Sequence, residues 1–300
     1  MLAAQRFDRL LEALALSADE RAAGTRAHET VRTALTRHYY RFGSIASHSL
    51  LIGAWGKGTD IRPPRDIDVL FILPPSLDET AGGSTADENG PLGHLHDVKE
   101  VLAAVVPDTH LRRNGRAVLA SFDDASVEVS VGFSRRDNCY ELCDASEGGR
   151  YRACCPAAEF EALEASDRAS RGATRDLIRL MKCWQASRSV PLSSFAIELV
   201  AMTFLDTWPQ RTAGGRFYDW MVRDFLAFLL TRARTSLAVP GLGTELALGA
   251  AWAQTAELAH KHASLACEFE VAGRNTDAWW EWEKIFGEIV PFADTDDHSR

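Results

Sequence analysis

The most constraining feature of the sequence is residues 53–73, GAWGKGTDIRPPRDIDVLFIL, in which a glycine-rich turn precedes two aspartates and an apolar run. Pro63 and Pro64 exclude a helix immediately before the aspartates. The nearly continuous apolar run is typical of a strand that is buried on both faces. Because residues two apart in a strand point to one face, the carboxylates of Asp66 and Asp68 are predicted to lie side by side.

This pair of carboxylates indicates a metal site. Two like charges held this close repel each other, and a divalent cation with oxygen ligands, such as Mg²⁺, relieves the repulsion. The glycine-rich turn can present backbone N–H groups to a phosphate, with Lys57 adding charge and Thr59 a hydroxyl. A bare Asp-x-Asp would more simply cap a surface strand, but a phosphate cradle followed by paired carboxylates indicates phosphoryl or nucleotidyl transfer with bound metal.

A third carboxylate is expected from a neighbouring strand. The alternating segment SVEVSVGF, residues 126–133, offers Glu128. Ser130 lies on the same face and is a competing alignment for this position. An ordinary exposed glutamate on a hairpin is the simpler alternative for Glu128.

These residues resemble the polymerase-β-like nucleotidyltransferases, whose pattern is Gly-Ser, then Gly-Thr, then Asp-x-Asp, then a later acid. The segment IRPPRDIDV is more specifically similar to the corresponding segment of the bacterial CD-NTases, which resemble animal cyclic GMP–AMP synthase and the oligoadenylate synthases. Further landmarks follow in the family's order: DNCYELCDASEGGRYRACCPAAEF (residues 137–160), RLMKCW (179–184), PLSSFAIEL (191–199) and AWWEWEKIFGEIVPF (278–292).

The resemblance implies an α+β fold, with a polymerase-β-like core of mixed sheet and helices, a C-terminal α-helical domain and an active site in the cleft between them. It implies a metal-dependent synthase that joins nucleoside triphosphates into a cyclic di- or trinucleotide. Two Mg²⁺ ions, replaceable by Mn²⁺, would be held by Asp66, Asp68 and Glu128. The expected partners are a downstream effector that senses the product, in bacterial anti-phage signalling, and CBASS accessory proteins.

Two positions depart from the family's pattern. The family's Gly-Ser is Gly53–Ala54 in this chain, so a hydroxyl that contacts phosphate is missing. The usual third aspartate is Glu128, and the third ligand is lost if Ser130 is the true match. These departures leave two alternatives open: a catalytically weak nucleotide sensor or scaffold of the same fold, and a transferase that moves nucleotides onto protein.

A series of basic residues precedes Trp184. On one continuous helix, the spacing of these residues predicts a single narrow face: Arg168, Arg171, Arg175, Arg179 and Lys182. The simple interpretation is a solvated surface. The resemblance places a phosphate-binding lysine at Lys182, which favours Lys182 and Arg179 as triphosphate contacts. By the same resemblance, Ser194 contacts a phosphate and Phe195 stacks on a base.

The chain as a whole is expected to form two domains, an α/β half over residues 1–155 and a helical half over 156–300, since 300 residues suit about two domains. Strands are predicted at 66–73, 117–122, 126–133 and 140–142, and an exposed loop at 74–92. Helices are predicted at 3–42 in two pieces and at 94–106, 157–187 with a break near Ser166, 194–207, 216–236, 244–271 and 275–287.

Composition excludes several classes of protein. The net charge of −9 argues against long nucleic acid as the main partner. No apolar run is long enough to span a membrane, and the N-terminus is typical of an amphipathic helix rather than a signal peptide, so a cytoplasmic location is expected. The spacing of the six cysteines fits no regular disulfide framework. Cys139, Cys143, Cys154 and Cys155 are candidate zinc ligands, although no Cys-x-x-Cys pair supports that assignment.

Overall fold

The computed structural model describes residues 2–40, 48–78, 90–107, 109–146 and 149–289. Their contacts divide the chain into two compact units. The sheet unit comprises Leu16–Phe160 with Pro240–Leu242, and the helical unit comprises Met1–Ala15, Glu161–Val239 and Gly243–Arg300. The domain division expected between residues 155 and 156 stays a prediction.

The sheet unit contains a mixed sheet with the strand order β1-β2-β5-β4-β3. β6 pairs with the C-terminal end of β5, and β7 pairs with β6. β2 and β5 are parallel, and the other described pairs are antiparallel. The strands are β1 (Ser49–Leu51), β2 (Ile67–Ile72), β3 (His110–Arg113), β4 (Val118–Ser121), β5 (Ser126–Ser134), β6 (Tyr140–Asp144) and β7 (Arg150–Cys154).

Two helices, α2 (Ala18–Tyr39) and α4 (Pro91–Val105), pack against one face of this sheet. Ser17 begins α2 with a capping box that Glu20 completes, which satisfies two backbone donors of the first turn. Apolar residues three and four apart then face the sheet and are buried in its core: Val31 and Leu35 on α2, and Leu95, Val98 and Leu102 on α4. The opposite face of the sheet is therefore the one available to polar side chains.

The strands expected at 66–73, 117–122, 126–133 and 140–142 are all present within one or two residues. β1, β3 and β7 were not predicted, because these strands are short and carry polar residues. α4 begins at Pro91, where the sequence predicted a loop, because proline suits the first turn of a helix. Most of the loop expected at 74–92 lies outside the described residues.

The helical unit contains α1 (Leu2–Leu14), α6 (Ala173–Ser187), α7 (Ser194–Thr207), α8 (Tyr218–Leu230), α9 (Ala253–Val271) and α10 (Asn275–Phe286). α5 (Pro156–Ala169) begins in the sheet unit and ends in the helical unit. The core of the helical unit is rich in large side chains that are fully buried: Trp184, Trp252, Trp282, Phe225 and Phe286. None of the helices in the described ranges has the length and apolar character that a membrane crossing needs.

Two expectations about this unit are wrong. The helix expected from residue 244 begins at Ala253, because β8 (Ser236–Ala238) and β9 (Glu245–Ala247) form a hairpin before it. The predicted single basic face is also wrong, because the helix is broken at Arg171 (φ +55°) and Gly172 (φ +96°). Arg168 lies on α5, Arg171 in the break, and Arg175 and Arg179 on α6. Arg175 pairs with Glu164 and Asp167, and Arg179 with Asp176, so the series is interspersed with acids.

The cysteines also differ from expectation, since Cys139 and Cys155 form a disulfide. The physical reason is the antiparallel register of β6 and β7, in which Tyr140 lies opposite Cys154. Residues 139 and 155 are the next pair along that ladder, and their Cα atoms lie 4.2 Å apart. Within the described ranges, no cluster of three side chains suitable for zinc occurs.

Candidate functional site

The glycine-rich turn lies directly against the carboxylate of Asp68. β1 leads into the short helix α3 (Gly53–Lys57), and the Ile52 N–H donates to the Asp68 carbonyl over 2.9 Å. Gly53 has a φ of +59°, and a Cβ built there would lie 1.9 Å from Asp68 Oδ2. Only glycine fits this position, because any other residue would combine an unfavourable backbone with a steric clash.

The remainder of the turn is closed by its own backbone. The Thr59 N–H donates to the Ala54 carbonyl over 2.9 Å, and Thr59 is completely buried. Ala54 is half-buried and brings only a methyl group to the position where a hydroxyl is usual in the resembling family. Ala54 therefore has no side-chain donor, and its contact with a phosphate stays a prediction.

Lys57 has a different environment from the one expected. Its side chain is 5% exposed, and its Nζ lies 2.8 Å from Glu159 Oε2 at the start of α5. The structure thus gives this lysine an internal carboxylate that ties α3 to α5. Its contact with a phosphate stays a prediction.

The strand register brings two of the three predicted acids to opposing positions. In the parallel pair β2–β5, Asp68 lies opposite Glu128, and Leu70 lies opposite Ser130. Leu70 belongs to a small apolar cluster, which makes the surroundings of Ser130 less polar than those of Glu128. Asp66 shares the face of Asp68 by strand alternation. Of the two alignments left open by the sequence, the register favours Glu128.

Asp66 and Glu128 each accept a hydrogen bond from a neutral side chain that was not predicted from the sequence. Ser126 Oγ donates to Asp66 Oδ1. Asn114 Nδ2 donates to Glu128 Oε1 over 3.0 Å, while Asn114 Oδ1 accepts from two backbone N–H groups of the β3–β4 turn. The signal for Asn114 was the Asn-Gly dipeptide at 114–115, a strong predictor of a tight hairpin.

The chemistry of these residues fits a hard divalent cation, since all three acids supply carboxylate oxygens on one sheet face. The side chains of the three acids do not converge, because Asp66 is hydrogen-bonded to Ser126 and Glu128 to Asn114. Within the part of the chain that the structure describes, no three His, Cys, Asp or Glu side chains lie close enough together to hold a metal ion. The carboxylates of Asp66, Asp68 and Glu128 are therefore suitable ligands for such a cation, but their side chains must rotate to bind one ion together.

The residues predicted to bind the triphosphate from the helical half lie on α6 and α7. Lys182 is 5% exposed, and its Nζ is 2.7 Å from Oε1 of Glu198, which is equally buried. Arg179 is half-buried and lies 3.5 Å from Asp176. Both cations thus have carboxylate partners in their own unit, and their contact with phosphate stays a prediction.

Ser194 and Phe195 form the start of α7. Ser193 caps this helix by accepting from the Ala196 N–H, and Ser194 Oγ donates to Gln185 Oε1 over 3.0 Å. Phe195 is half-buried, which leaves part of its ring accessible. The expected roles of both residues at a nucleotide stay predictions.

The sequence and the fold are both similar to known nucleotide synthases. The family model described as Second Messenger Oligonucleotide or Dinucleotide Synthetase domain matches residues 1–166, more than half of the chain. A Bacillus cereus (strain VD146) protein named as a probable cyclic nucleotide synthase is 20% identical, with 80% of this chain and 81% of that protein covered.

Two solved structures share the fold over nearly the whole chain. CdnC of Escherichia coli MS115-1, in complex with HORMA-deltaN, has a TM-score of 0.71 at 18% identity and covers 96% of this chain and 98% of its own. Vibrio cholerae DncV bound to 3′-deoxy GTP has a TM-score of 0.74 at 13% identity, with 94% and 93% covered. The expected α+β fold, a polymerase-β-like core followed by a helical part, is confirmed. With the family model covering the glycine turn and all three acids, the chain belongs to the second messenger oligonucleotide or dinucleotide synthetases, the CD-NTases.

Proposed function

We propose that this protein joins nucleoside triphosphates into a cyclic di- or trinucleotide and releases pyrophosphate. The observation that carries the proposal is the pairing of Asp68 with Glu128 across β2 and β5, with the Gly53 turn in contact with Asp68. This arrangement brings the backbone of a glycine-rich turn beside carboxylates on one sheet face, which supports phosphate binding at the turn. Membership of the synthetase family supports the same reaction.

Asp66, Asp68 and Glu128 are the residues that would hold two Mg²⁺ ions, for which Mn²⁺ would substitute. Carboxylate oxygens are suitable ligands for these cations, and family members generally use divalent metals. When bound, such ions offset phosphate charge and lower the pKa of an attacking hydroxyl.

The residues of the chain have separate tasks in this proposal. Backbone N–H groups at the start of the Gly53–Thr59 turn bind the phosphates of the donor nucleotide, since those of Gly56, Gly58 and Thr59 already donate to carbonyl groups nearby. Asp66 and Asp68 orient the donor, and Glu128 lies on the side of the acceptor hydroxyl. Positioning of this kind supplies most of the catalysis of phosphoryl transfer, because the reaction needs little covalent chemistry from the protein.

The helical unit supplies further nucleotide contacts in the proposal. Lys182, Arg179 and Ser194 bind phosphate, and Phe195 stacks on a base. The accessible part of the Phe195 ring supports its role, and the resemblance of the segments RLMKCW and PLSSFAIEL to those of the family supports the others. For Lys182, binding a phosphate means sharing its ammonium group with Glu198.

In the cell, we propose a role in anti-phage signalling, in which the cyclic product reaches a downstream effector. Accessory proteins of the CBASS type are the proposed protein partners. The similarity to CdnC, which has been solved in complex with a HORMA protein, supports this proposal.

Product analysis tests the proposal directly. The purified protein is incubated with all four nucleoside triphosphates and Mg²⁺, and the products are identified by mass spectrometry together with released pyrophosphate. The expected result is a cyclic oligonucleotide. Nucleotide binding without pyrophosphate release would contradict synthesis and indicate a sensor, whereas nucleotide attached covalently to protein would indicate a transferase.

A further inference from the structure

The edge strand β3 places an arginine on the same sheet face as the three acids. β3 pairs antiparallel with β4, and its other edge is not paired with any described strand. Leu111 packs against the core beneath α2 and α4. Because neighbouring residues of a strand point to opposite faces, Arg112 points to the face that the helices leave uncovered.

The register puts this arginine in line with the acids. Arg112 lies opposite Leu119, Leu119 opposite Glu128, and Glu128 opposite Asp68. Directly opposed residues share a face, and neighbouring strands are about 4.8 Å apart, so the Cα atoms of Arg112 and Glu128 are about 10 Å apart. One row of the sheet therefore runs from the glycine turn through Asp68 and Glu128 to Arg112.

Nothing in the described part of the chain neutralises this arginine. Arg112 is exposed and has no ion pair or hydrogen bond with a described residue, whereas Arg116 in the following turn pairs with Asp144. The side chain of Glu128 accepts instead from Asn114. A guanidinium group in this state is well suited to an oxyanion, and its planar fork matches phosphate in particular.

We propose that Arg112 binds a phosphate of the acceptor nucleotide, the one whose hydroxyl attacks the donor. The inference rests on the proposed function. In phosphoryl transfer, the attacking and leaving oxygens lie on opposite sides of the phosphorus. With the leaving phosphates at the Gly53 turn beyond Asp68, the acceptor lies across β5 and β4, in the direction of Arg112. The ligand is a nucleoside triphosphate or, in the closing step, the linear intermediate.

The same strand offers a matched control. Arg113 is also exposed, but it lies one residue further along and so belongs to the opposite face. Arg112→Ala and Arg113→Ala remove the same charge from the same strand, and they differ only in the face from which it is removed. Arg112→Lys retains the charge without the planar fork.

The first measurement is steady-state pyrophosphate release with all four triphosphates. We expect Arg112→Ala to lower kcat/KM roughly ten- to a hundredfold, the loss of one hydrogen bond between charged groups, and Arg112→Lys to recover part of it. Arg113→Ala should stay within about twofold of the wild type. Equal losses at both positions, or none at Arg112, would overturn the proposal. A wild type that releases no pyrophosphate contradicts the proposed function instead.

The second measurement needs no turnover. Calorimetric titration with the α,β-methylene analogues of the four triphosphates and Mg²⁺ should show two bound nucleotides in the wild type and in Arg113→Ala. Arg112→Ala should retain the donor and weaken the second nucleotide about tenfold or more. Two sites of unchanged affinity in Arg112→Ala, or a single site in the wild type, would refute the assignment.

Discussion

At the scale of the residue, the site depends on a position where no side chain fits. Gly53 brings the turn so close to Asp68 that a methyl group would overlap the carboxylate. We predict that Gly53→Ala abolishes most activity while the protein stays folded. The positive φ alone costs about 1–2 kcal/mol, and relief of the clash displaces Asp68. Pyrophosphate release and thermal unfolding of the variant test this.

Gly115→Ala is the matched control, because Gly115 also has a positive φ (+88°) but nothing within 4 Å of a built Cβ. It should lower stability by a similar amount and retain most of the activity. If Gly53→Ala is no less active than Gly115→Ala, the contact with Asp68 has no catalytic importance.

The third acid gives a second prediction at this scale. Glu128→Gln should lower the rate by orders of magnitude, because it removes the carboxylate opposite Asp68. Ser130→Ala should be mild, since Ser130 lies opposite Leu70. Steady-state rates of the two variants at saturating Mg²⁺ provide the comparison. The reverse ranking would mean that Ser130, not Glu128, occupies the third position.

At the scale of the element, the sequence predicted the strands that have a long apolar or alternating pattern. The apolar run of β2 and the alternation of β5 predicted both strands, with Asp66 and Asp68 at the start of β2 and Glu128 on β5. The sequence could not predict β1, a strand of three residues that is fixed by pairing with β2, or the ladder that joins Cys139 to Cys155. These features depend on partners distant in sequence, for which a local pattern carries no signal.

The break between α5 and α6 was predicted near Ser166, five residues before Arg171. The true signal was Gly172, which adopts a left-handed conformation that other residues avoid. The sequence likewise predicted a phosphate contact for Lys182, which stays a prediction, but not the pairing of Lys182 with Glu198. That pairing arises because α6 and α7 pack together.

The pair formed by Lys182 and Glu198 gives a prediction for these two helices. Both side chains are almost completely buried, and removing one member of a buried ion pair costs roughly 3–5 kcal/mol. Lys182→Met should therefore lower the free energy of unfolding by about this amount. Denaturant titration measures it.

Lys261→Met is the control, because it breaks an exposed pair with Glu257 on α9, a type of pair worth less than about 0.5 kcal/mol. Adding Glu198→Leu to Lys182→Met should restore most of the stability, because it removes the isolated charge. Triphosphate affinity should stay low in this double variant if Lys182 binds phosphate. Equal destabilisation by the Lys182 and Lys261 variants would contradict the buried pair.

At the scale of the whole molecule, a buried charged cluster makes stability depend on pH. Arg6 of α1, Asp219 of α8 and Glu270 of α9 meet in the helical unit, and Trp282 Nε1 donates to Glu270 over 2.9 Å. Burial raises the pKa of Glu270 from its ordinary 4.5 to about 7, and neighbouring Asp219 adds to the shift. Burial raises the pKa of Asp219 as well.

The sign of the effect follows from proton uptake. Between pH 4.5 and about 7, the folded protein retains a proton on Glu270 that the unfolded chain has lost, so stability falls as pH rises through this range. The loss from this group is on the order of 3 kcal/mol. Glu270→Gln should therefore be more stable relative to the wild type at pH 8 than at pH 5, as measured by denaturant titration. A stability difference that does not change with pH would contradict the shifted pKa.

The central claim is that the carboxylates at the start of β2 carry nucleotide transfer. Its most direct test is pyrophosphate release by the double variant Asp66→Asn, Asp68→Asn, with saturating triphosphates and Mg²⁺. Asp123→Asn with Asp124→Asn, two exposed aspartates in the β4–β5 turn, is the control. We predict that the first variant loses pyrophosphate release while it keeps its circular dichroism and Tm, and that the control retains the wild-type rate. A folded Asp66–Asp68 variant that releases pyrophosphate at the wild-type rate would contradict the claim.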